Sequence, residues 1–243
     1  FNYGPIEVGP RPDGSKRDGG RVKHISFHPA DTSIFYVSCF KGGLFRGEDA
    51  GAKWVPLTDQ LAEEVYISQV DPDLPDVIYI GTNQGVLKTE DAGINWYQTD
   101  LDHGKVNGLV LHAANPQVVL AGHPGGIYRS ENGGETFTLV LAASKVEEIR
   151  RHPTNPQIMY ASTNGSPSQF CRSEDGGEAW AEITGGFGQG CFMKIAVTPA
   201  APDVVYVINA RDHLGDDSFD GVYRSDDAGL TFQKQAGTSP CIT

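Results

Sequence analysis

The octet SEDGGEAW, Ser173–Trp180, places two adjacent carboxylates beside two glycines and ends on a tryptophan. Four similar octets occur in the chain: GEDAGAKW (47–54), TEDAGINW (89–96), SENGGETF (130–137) and SDDAGLTF (225–232). They start at residues 47, 89, 130, 173 and 225, so the spacings are 42, 41, 43 and 52 residues. Five copies near one period indicate a repeat architecture.

The sequence around each octet repeats as well. An alternating segment ends in a proline- or asparagine-containing turn, a β-branched or aromatic run follows, and a short glycine-led apolar segment precedes the octet. The aromatic residue of the octet then opens a last short segment, so each unit predicts four antiparallel strands. A four-stranded unit of roughly 42 residues is the period of a β-propeller blade. We therefore predict an all-β propeller with five blades, at about 21–60, 61–103, 104–143, 144–186 and 187–236.

The number of blades in the whole propeller stays open at this point. Residues 1–20 form an N-terminal segment that could supply a closing strand for the last blade. We expect instead that the blades in 21–243 belong to a larger propeller of six to eight blades, or to half of a double one, truncated C-terminally. The alternative is a complete five-bladed ring.

The octets are expected to be structural turns between the third and fourth strands. Glycine at the fifth position allows the positive φ of a tight turn. The acidic or amide side chain at the third position can accept backbone N–H groups, and the aromatic residue at the eighth can pack between blades. These structural positions are Asp49, Asp91, Asn132, Asp175 and Asp227, with Trp54, Trp96, Phe137, Trp180 and Phe232.

Composition narrows the classes of partner. The formal net charge is −12, and the basic residues are scattered along the sequence, for example Lys23, Lys41, Arg129, Arg150 and Arg151. Phosphate binding requires a basic face, so we predict no nucleic-acid partner. No apolar run reaches the roughly 18 residues of a transmembrane helix, and no motif indicates a cofactor. The chain starts at Phe1, which favours export to the cell surface or medium after removal of a signal peptide.

The four cysteines lack metal-binding spacing. They are expected either to be buried apolar residues or to include one disulfide, for which Cys171 and Cys191 are the favoured pair in an exported protein. The histidines His28 and His152 precede prolines at one repeat position and are expected to be structural strand-end residues.

The pattern Ser-x-Asp-x-Gly-x-x-Trp/Phe resembles the Asp-box, or bacterial neuraminidase repeat. Proteins with this repeat include sialidases, xyloglucan hydrolases, sortilin-type receptors and photosystem assembly factors. The first blade looks most like the sortilin-like and xyloglucanase-like branch, and is similar to exported propellers of Bacteroidetes-type bacteria. The resemblance implies that the octets lie on the blade periphery, away from the ligand site, and bind no metal.

Two enzyme classes can be compared with the chain residue by residue. A sialidase would carry an Arg-Ile-Pro motif and an arginine triad, which are absent from the sequence. In xyloglucan hydrolases the resemblance places a catalytic Asp, one of two carboxylates flanking the scissile bond, where this chain has Phe40. The family resemblance therefore predicts no catalytic residue at this position, and activity is uncertain.

The ligand site is predicted on the loops opposite the octets, because propeller function resides in loops. Its candidate residues are Phe40, Lys41, Gln84, His123, Arg211, Asp212 and His213. The insertion that lengthens the last spacing also carries Asp216, Asp217 and Asp220, where calcium is conceivable although no EF-hand spacing is present.

Three functions fit these observations. The first is an exported, non-catalytic recognition propeller that binds a protein or glycan. The second is a fragment of a xyloglucanase-like glycoside hydrolase, and the third is a subunit held in a larger surface complex.

Overall fold

Twenty β-strands form five four-stranded antiparallel sheets in the computed structural model, which describes residues 20–59, 61, 64–165, 167–188, 190–210 and 219–236. Each sheet keeps its strands in sequence order and constitutes one blade. The predicted five-bladed, all-β propeller architecture is confirmed for this part of the chain.

The strand bounds follow the repeat. Blade 1 contains β1 (Arg21–Phe27), β2 (Phe35–Phe40), β3 (Gly43–Glu48) and β4 (Lys53–Pro56). Blade 2 contains β5 (Val65–Val70), β6 (Ile78–Thr82), β7 (Gly85–Thr89) and β8 (Tyr97–Gln98). Blade 3 contains β9 (Gly108–His112), β10 (Asn115–His123), β11 (Gly126–Ser130) and β12 (Thr138–Ala142). Blade 4 contains β13 (Val146–Arg151), β14 (Met159–Thr163), β15 (Phe170–Ser173) and β16 (Ala181–Glu182). Blade 5 contains β17 (Phe192–Thr198), β18 (Ala201–Ala210), β19 (Phe219–Ser225) and β20 (Gln233–Lys234).

The first strand of each blade contacts the first strand of the next, so β1, β5, β9, β13 and β17 surround a common axis. Antiparallel pairing then fixes which loops share an end of the molecule. Arg21 pairs with Phe40 at one end of blade 1, whereas Glu48 pairs with Lys53 at the other. We call the end where the five inner strands begin the mouth end, and the opposite one the octet end.

Most of the hydrophobic core lies between blades, and one small cluster, around Val37, Cys39 and Phe45, lies within blade 1. Alternating side chains of a strand point to opposite faces, so each blade offers apolar residues to both neighbours. One cluster joins Ile67 and Tyr79 of blade 2 to Leu109 and Leu111 of blade 3. Equivalent clusters join blades 1 and 2, blades 3 and 4, and blades 4 and 5. The fold is thus stabilised by a series of inter-blade interfaces.

The octets form the tight turns expected of them. In blade 4 the amide of Gly177 donates to Ser173 Oγ at 2.9 Å, and the Ser173 hydroxyl donates to Asp175 Oδ1 at 2.7 Å. Asp175 Oδ1 also accepts the amides of Glu178 and Ala179 at 3.0 and 2.9 Å. In blades 2, 3 and 5 the side-chain oxygen at the third octet position likewise accepts a hydrogen bond from the backbone amide four residues later. The carboxylate therefore closes the turn by accepting backbone amides.

Blade 1 departs from this pattern because its octet begins with Gly47. The ring of Phe35 leaves no room for a side chain there, since a Cβ on Gly47 would lie 2.6 Å from Phe35 Cζ. Without a hydroxyl at the first position, Asp49 adopts a positive φ of 51° in a short 3-10 turn, whereas the φ of 53° at Ala50 matches that of Ala228, 54°, in blade 5. The turn is retained, but its backbone differs.

The end of each inner strand carries a second repeated turn. The Nδ1 atoms of His28 and His152 each accept two backbone amides from the following turn, at 3.0 to 3.2 Å. In blade 3 His112 Nδ1 accepts one such amide. In blade 2 Asp71 occupies the equivalent position, and its Oδ1 accepts two backbone amides. The histidines at this position are structural acceptors, as the sequence indicated for His28 and His152.

The eighth-position aromatic residues pack as predicted in four blades. Trp96, Phe137, Trp180 and Phe232 contact the core cluster shared with the preceding blade, and Trp96 Nε1 donates to Leu57 O at 3.0 Å. Trp54 instead packs on Phe35 within blade 1, with the ring centroids 5.3 Å apart.

The favoured disulfide is absent from the structure. Cys171 and Cys191 are both free thiols, and the prediction that they pair is wrong for this structure. The reason is topological, since Cys171 lies in the apolar cluster between blades 3 and 4, whereas Cys191 precedes the inner strand of blade 5. Burial raises the pKa of the Cys171 thiol to about 12, which disfavours the reactive thiolate.

Several expectations concern residues outside the described part. Outside the described residues lie the possible closing strand in residues 1–19, the candidate ligand residues Arg211, Asp212 and His213, the acidic residues Asp216 and Asp217, and Cys241. The side chain of Asp220 also lies outside them. Within the described ranges, no three His, Cys, Asp or Glu side chains are grouped as a metal site would require. The same ranges contain no helix of sufficient length and hydrophobicity to cross a membrane.

Candidate functional site: the propeller mouth

The inner strands of three blades carry β-bulges near the mouth end. The pairing of β1 skips Lys23, that of β5 skips Tyr66, and that of β13 skips Glu147. A bulge leaves one residue unpaired and redirects its side chain, and such bulges are frequent beside functional sites. The three bulged residues occupy equivalent repeat positions and all line one cleft.

Asn107 and Lys194, from blades 3 and 5, complete this cleft. We call Lys23, Tyr66, Asn107, Glu147 and Lys194 the mouth cluster. Glu147 lies at its centre, because its Oε2 accepts Asn107 Nδ2 at 3.0 Å and its Oε1 lies 3.2 Å from Lys194 Nζ. Five blades thus contribute one residue each to a single polar site.

The cleft itself is small. Its cavity volume is about 70 Å³, which accommodates a few water molecules but falls well below the roughly 300 Å³ of a typical small-molecule pocket. A sugar ring does not fit inside it. A polymeric ligand would therefore lie across the mouth and contact the residues at its rim.

An aromatic pair forms part of this rim. The rings of Phe40 and Tyr66 have centroids 5.8 Å apart, and the Tyr66 hydroxyl donates to Glu64 Oε2 at 2.7 Å. Burial and the Glu64 bond both raise the pKa of Tyr66, so it remains a neutral phenol at physiological pH. Phe40 is half-buried, which leaves part of its ring available to a ligand.

Basic side chains surround the aromatic pair. Lys105 Nζ lies 4.4 Å from the Tyr66 ring centroid, and Arg21 and Lys41 lie 5.7 and 5.4 Å from that of Phe40. Among the described residues, these three cations and Lys23 have no ion-pair partner. Partial burial, with a smaller contribution from the charges of Arg21 and Lys105, lowers the pKa of Lys23.

This arrangement corrects one statement drawn from the sequence. Lys23 and Arg150 look scattered along the chain, yet both line the cleft, together with Lys194. They meet because the propeller gathers its inner strands around one axis, although the three residues do not occupy equivalent repeat positions. The signal available in the sequence covers only Lys23, Tyr66, Asn107 and Glu147, each five residues before the strand-end residue of its blade.

The predicted ligand residues fall in different environments. Phe40 and Lys41 lie at the aromatic rim, and Gln84 is exposed in the β6–β7 turn. His123 is buried, and both ring nitrogens are used: Nδ1 accepts the Gly125 amide at 3.0 Å and Nε2 lies 3.1 Å from His103 O. In this conformation His123 holds a turn and has no nitrogen left for a ligand.

Sequence comparison relates the chain to xyloglucanases. No family profile matches it. A xyloglucanase from Paenibacillus sp. is 24% identical over 219 residues, which cover 69% of this chain and 21% of that enzyme. The chain thus spans about a fifth of the length of this curated relative.

Structural comparison shows the fold. An ancestral GH74 enzyme superposes with a TM-score of 0.78 at 20% identity, over 90% of this chain and 31% of that one. YCF48 bound to D1 peptide superposes with a TM-score of 0.63 at 16% identity, over 97% of this chain and 72% of that one. The β-propeller fold is shared by proteins that differ in function, so the fold by itself does not assign one.

Proposed function

We propose that this chain is part of a xyloglucanase-like glycoside hydrolase and contributes the surface on which a β-glucan chain lies. The similarity to a xyloglucanase over 219 residues carries this proposal. It replaces the non-catalytic recognition propeller as the leading hypothesis. The finer resemblance to the Asp-box repeat agrees with the geometry of the octet turns but does not add to the assignment of function.

The mouth supplies the chemistry that glucan binding needs. Aromatic rings pack against the apolar faces of pyranose units, and amide and carboxylate groups bond to hydroxyls. The half-buried Phe40 provides an accessible ring, backed by the buried ring of Tyr66, while Asn107 and Glu147 provide polar groups a short distance into the cleft. Phe40 has no carboxylate, so hydrolysis would require an acid and base pair that this position does not supply.

Titration of the chain with xyloglucan oligosaccharides tests the proposal. We expect saturable binding that Phe40→Ala weakens by about tenfold, because one aromatic contact is worth roughly 1.4 kcal/mol. Tyr97→Ala is the matched control, since Tyr97 is an exposed aromatic residue on the outer strand β8 of blade 2. Absence of binding by the unmodified chain, or equal losses in both variants, would refute the proposed surface.

A second candidate function is recognition of an anionic glycan without catalysis. Of the described side chains that line the cleft or contact its aromatic pair, six are basic and three are acidic, whereas the chain as a whole carries a formal net charge of −12. The basic residues are Arg21, Lys23, Lys41, Lys105, Arg150 and Lys194, and the acidic ones are Glu64, Glu147 and Glu148. An excess of positive charge around a cleft concentrates ligands of the opposite sign.

The two candidates differ in their dependence on charge. If the second candidate holds, polygalacturonate should bind more tightly than xyloglucan, and added salt should weaken this binding. The Lys105→Gln variant should bind polygalacturonate less tightly than the unmodified chain. Lys53→Gln is the control, because Lys53 pairs with Glu48 at the octet end. Preference for neutral xyloglucan, with no salt effect, would exclude the anionic ligand and leave the first proposal standing.

A further inference from the structure

The cleft at the mouth carries one more positive charge than its ion pairs use. Three of its lining side chains are basic, Lys23, Arg150 and Lys194, and two are acidic, Glu147 and Glu148. Lys194 Nζ lies 3.2 Å from Glu147 Oε1, and Arg150 pairs with Glu148. Among the described residues, Lys23 has no ion-pair partner. The unpaired charge of the cleft is therefore that of Lys23.

The acceptor oxygens of the cleft are already bonded, whereas N–H donors remain. Glu147 Oε2 accepts Asn107 Nδ2 at 3.0 Å, and Glu148 Oε2 accepts the amide of Ile195 at 2.7 Å. Each carboxylate thus has one oxygen bonded to an amide and the other to a cation. An ammonium group has three N–H donors and a guanidinium group has five. The described bonds of the two paired cations to these carboxylates use one donor each. A ligand that brings acceptor oxygens and negative charge suits this lining.

The backbone holds these charged groups in place. Adjacent side chains of a regular strand point to opposite faces, yet Lys23 and His24 both line the cleft, as do Glu147 and Glu148. The bulges at Lys23 in β1 and at Glu147 in β13 break the alternation at these two points. The charged lining is therefore a product of strand geometry on the rigid inner strands.

The size of the cleft limits the ligand to a small group. Its volume of about 70 Å³ takes a few water molecules or one carboxylate group, but no sugar ring. The single charge of a carboxylate matches the single unpaired charge of the lining, whereas a doubly charged sulfate would exceed it.

We propose that the cleft binds one carboxylate group, through an ion pair with Lys23 and hydrogen bonds from Lys194 and Arg150. The carboxylate belongs either to a small free acid or to a uronic acid whose ring stays at the rim. Neutral xyloglucan has no such group, so the site does not rest on the glucan surface proposed above. For the second candidate function, it replaces a general attraction with one specific contact.

Titration with sodium acetate at pH 7, followed by the histidine ring resonances in NMR spectra, tests the site. The imidazole of His24 lines the cleft, whereas that of His28 holds a turn at the octet end. We expect a saturable shift of the His24 resonances and none at His28. An equal response to sodium chloride at the same ionic strength would overturn the proposal, because it would show a general effect of charge.

Substitution of Lys23 identifies the group that holds the carboxylate. Lys23→Gln should weaken acetate binding by about tenfold or more, since a charged donor is replaced by a neutral one. Lys23 is open to solvent, so the variant should fold, and circular dichroism checks this. Lys53→Gln is the matched control, because Lys53 pairs with Glu48 at the octet end. Acetate binding that Lys23→Gln leaves unchanged would overturn the proposal.

A third arm distinguishes the two sources of the carboxylate. If it belongs to a glycan, trigalacturonate should bind more tightly than acetate, and Lys23→Gln should weaken both. Equal affinities would assign the site to a small free acid. Absence of a saturable response to either probe would overturn the site while leaving xyloglucan binding to be judged separately. Conversely, acetate binding without xyloglucan binding would refute only the glucan surface.

Discussion

At the scale of single residues, the repeat provides its own controls. Tyr79 and Tyr160 occupy the same blade position and are both fully buried, but only the Tyr79 hydroxyl has a partner, Gly133 O. The Tyr160 hydroxyl is buried without a hydrogen bond. The two tyrosines therefore separate the value of a hydrogen bond from that of ring packing.

We predict opposite effects when the two hydroxyls are removed. Tyr79→Phe should lower the free energy of unfolding by about 1 kcal/mol, because it leaves a buried carbonyl without its donor. Tyr160→Phe should be neutral or slightly stabilising, since it removes an unsatisfied group. Urea denaturation of the two variants measures the difference. Equal losses would show that the hydroxyl environments are alike.

His24 links a residue of the inner strand β1 to the pH dependence of stability. Burial, with a contribution from the charge of Arg150, lowers the pKa of His24 to about 4. His24 therefore stays neutral in the folded state at pH values where it is already protonated in the unfolded state, in which its pKa is about 6.5. Stability from this group is present above pH 6.5 and is lost as the pH falls from about 6.5 to about 4.

Replacement of His24 by glutamine should remove this part of the pH dependence. The difference in unfolding free energy between His24→Gln and the unmodified chain should shift in favour of the variant as the pH falls through that range. Chemical denaturation at several pH values gives this difference directly. A difference that stays constant from pH 7 to pH 4 would contradict the lowered pKa.

At the scale of elements, the octet is a turn closed by its own carboxylate. Asp175 accepts the Ser173 hydroxyl and the amides of Glu178 and Ala179. We predict that Asp175→Ala lowers the free energy of unfolding by about 1–2 kcal/mol, because backbone donors lose their acceptor. Glu178→Ala, in the same turn, should change it by less than about 0.5 kcal/mol, as an exposed ion pair contributes little. Thermal unfolding of both variants provides the test, and similar melting temperatures would argue against a structural carboxylate.

The octets also show how far the sequence determines the fold. Their period predicts five four-stranded blades, because each copy needs the same turn residues and the same interface aromatic. The exception of blade 1 also follows from one residue, Gly47, once the position of the Phe35 ring is known. The free thiols of Cys171 and Cys191 could not be read from spacing, because blade packing separates their environments.

The mouth was harder to predict than the octets. The turn of Phe40 and Lys41 follows β2 at the end opposite the octets, as strand order requires, while their role in ligand binding stays a prediction. The bulges that redirect Lys23, Tyr66 and Glu147 leave no clear trace in the sequence, because a bulge adds one residue to a strand without a distinctive residue type. His123 looked available in a loop, yet its ring nitrogens bind the backbone.

At the scale of the whole molecule, five blades form an arc with two unlike ends and one polar mouth. The mouth gathers one residue from each blade, so its properties arise only in the assembled arc. A local change in one inner strand is therefore expected to alter a site that all five blades share.

Hydrogen exchange of the chain with and without xyloglucan oligosaccharide is the most direct test of a glucan-binding mouth. The account predicts slower exchange in segments 21–24, 40–43, 64–67 and 105–108, which meet at the mouth, and unchanged exchange in the five octets. Protection centred on the octets, or no protection at a saturating concentration of ligand, would contradict it.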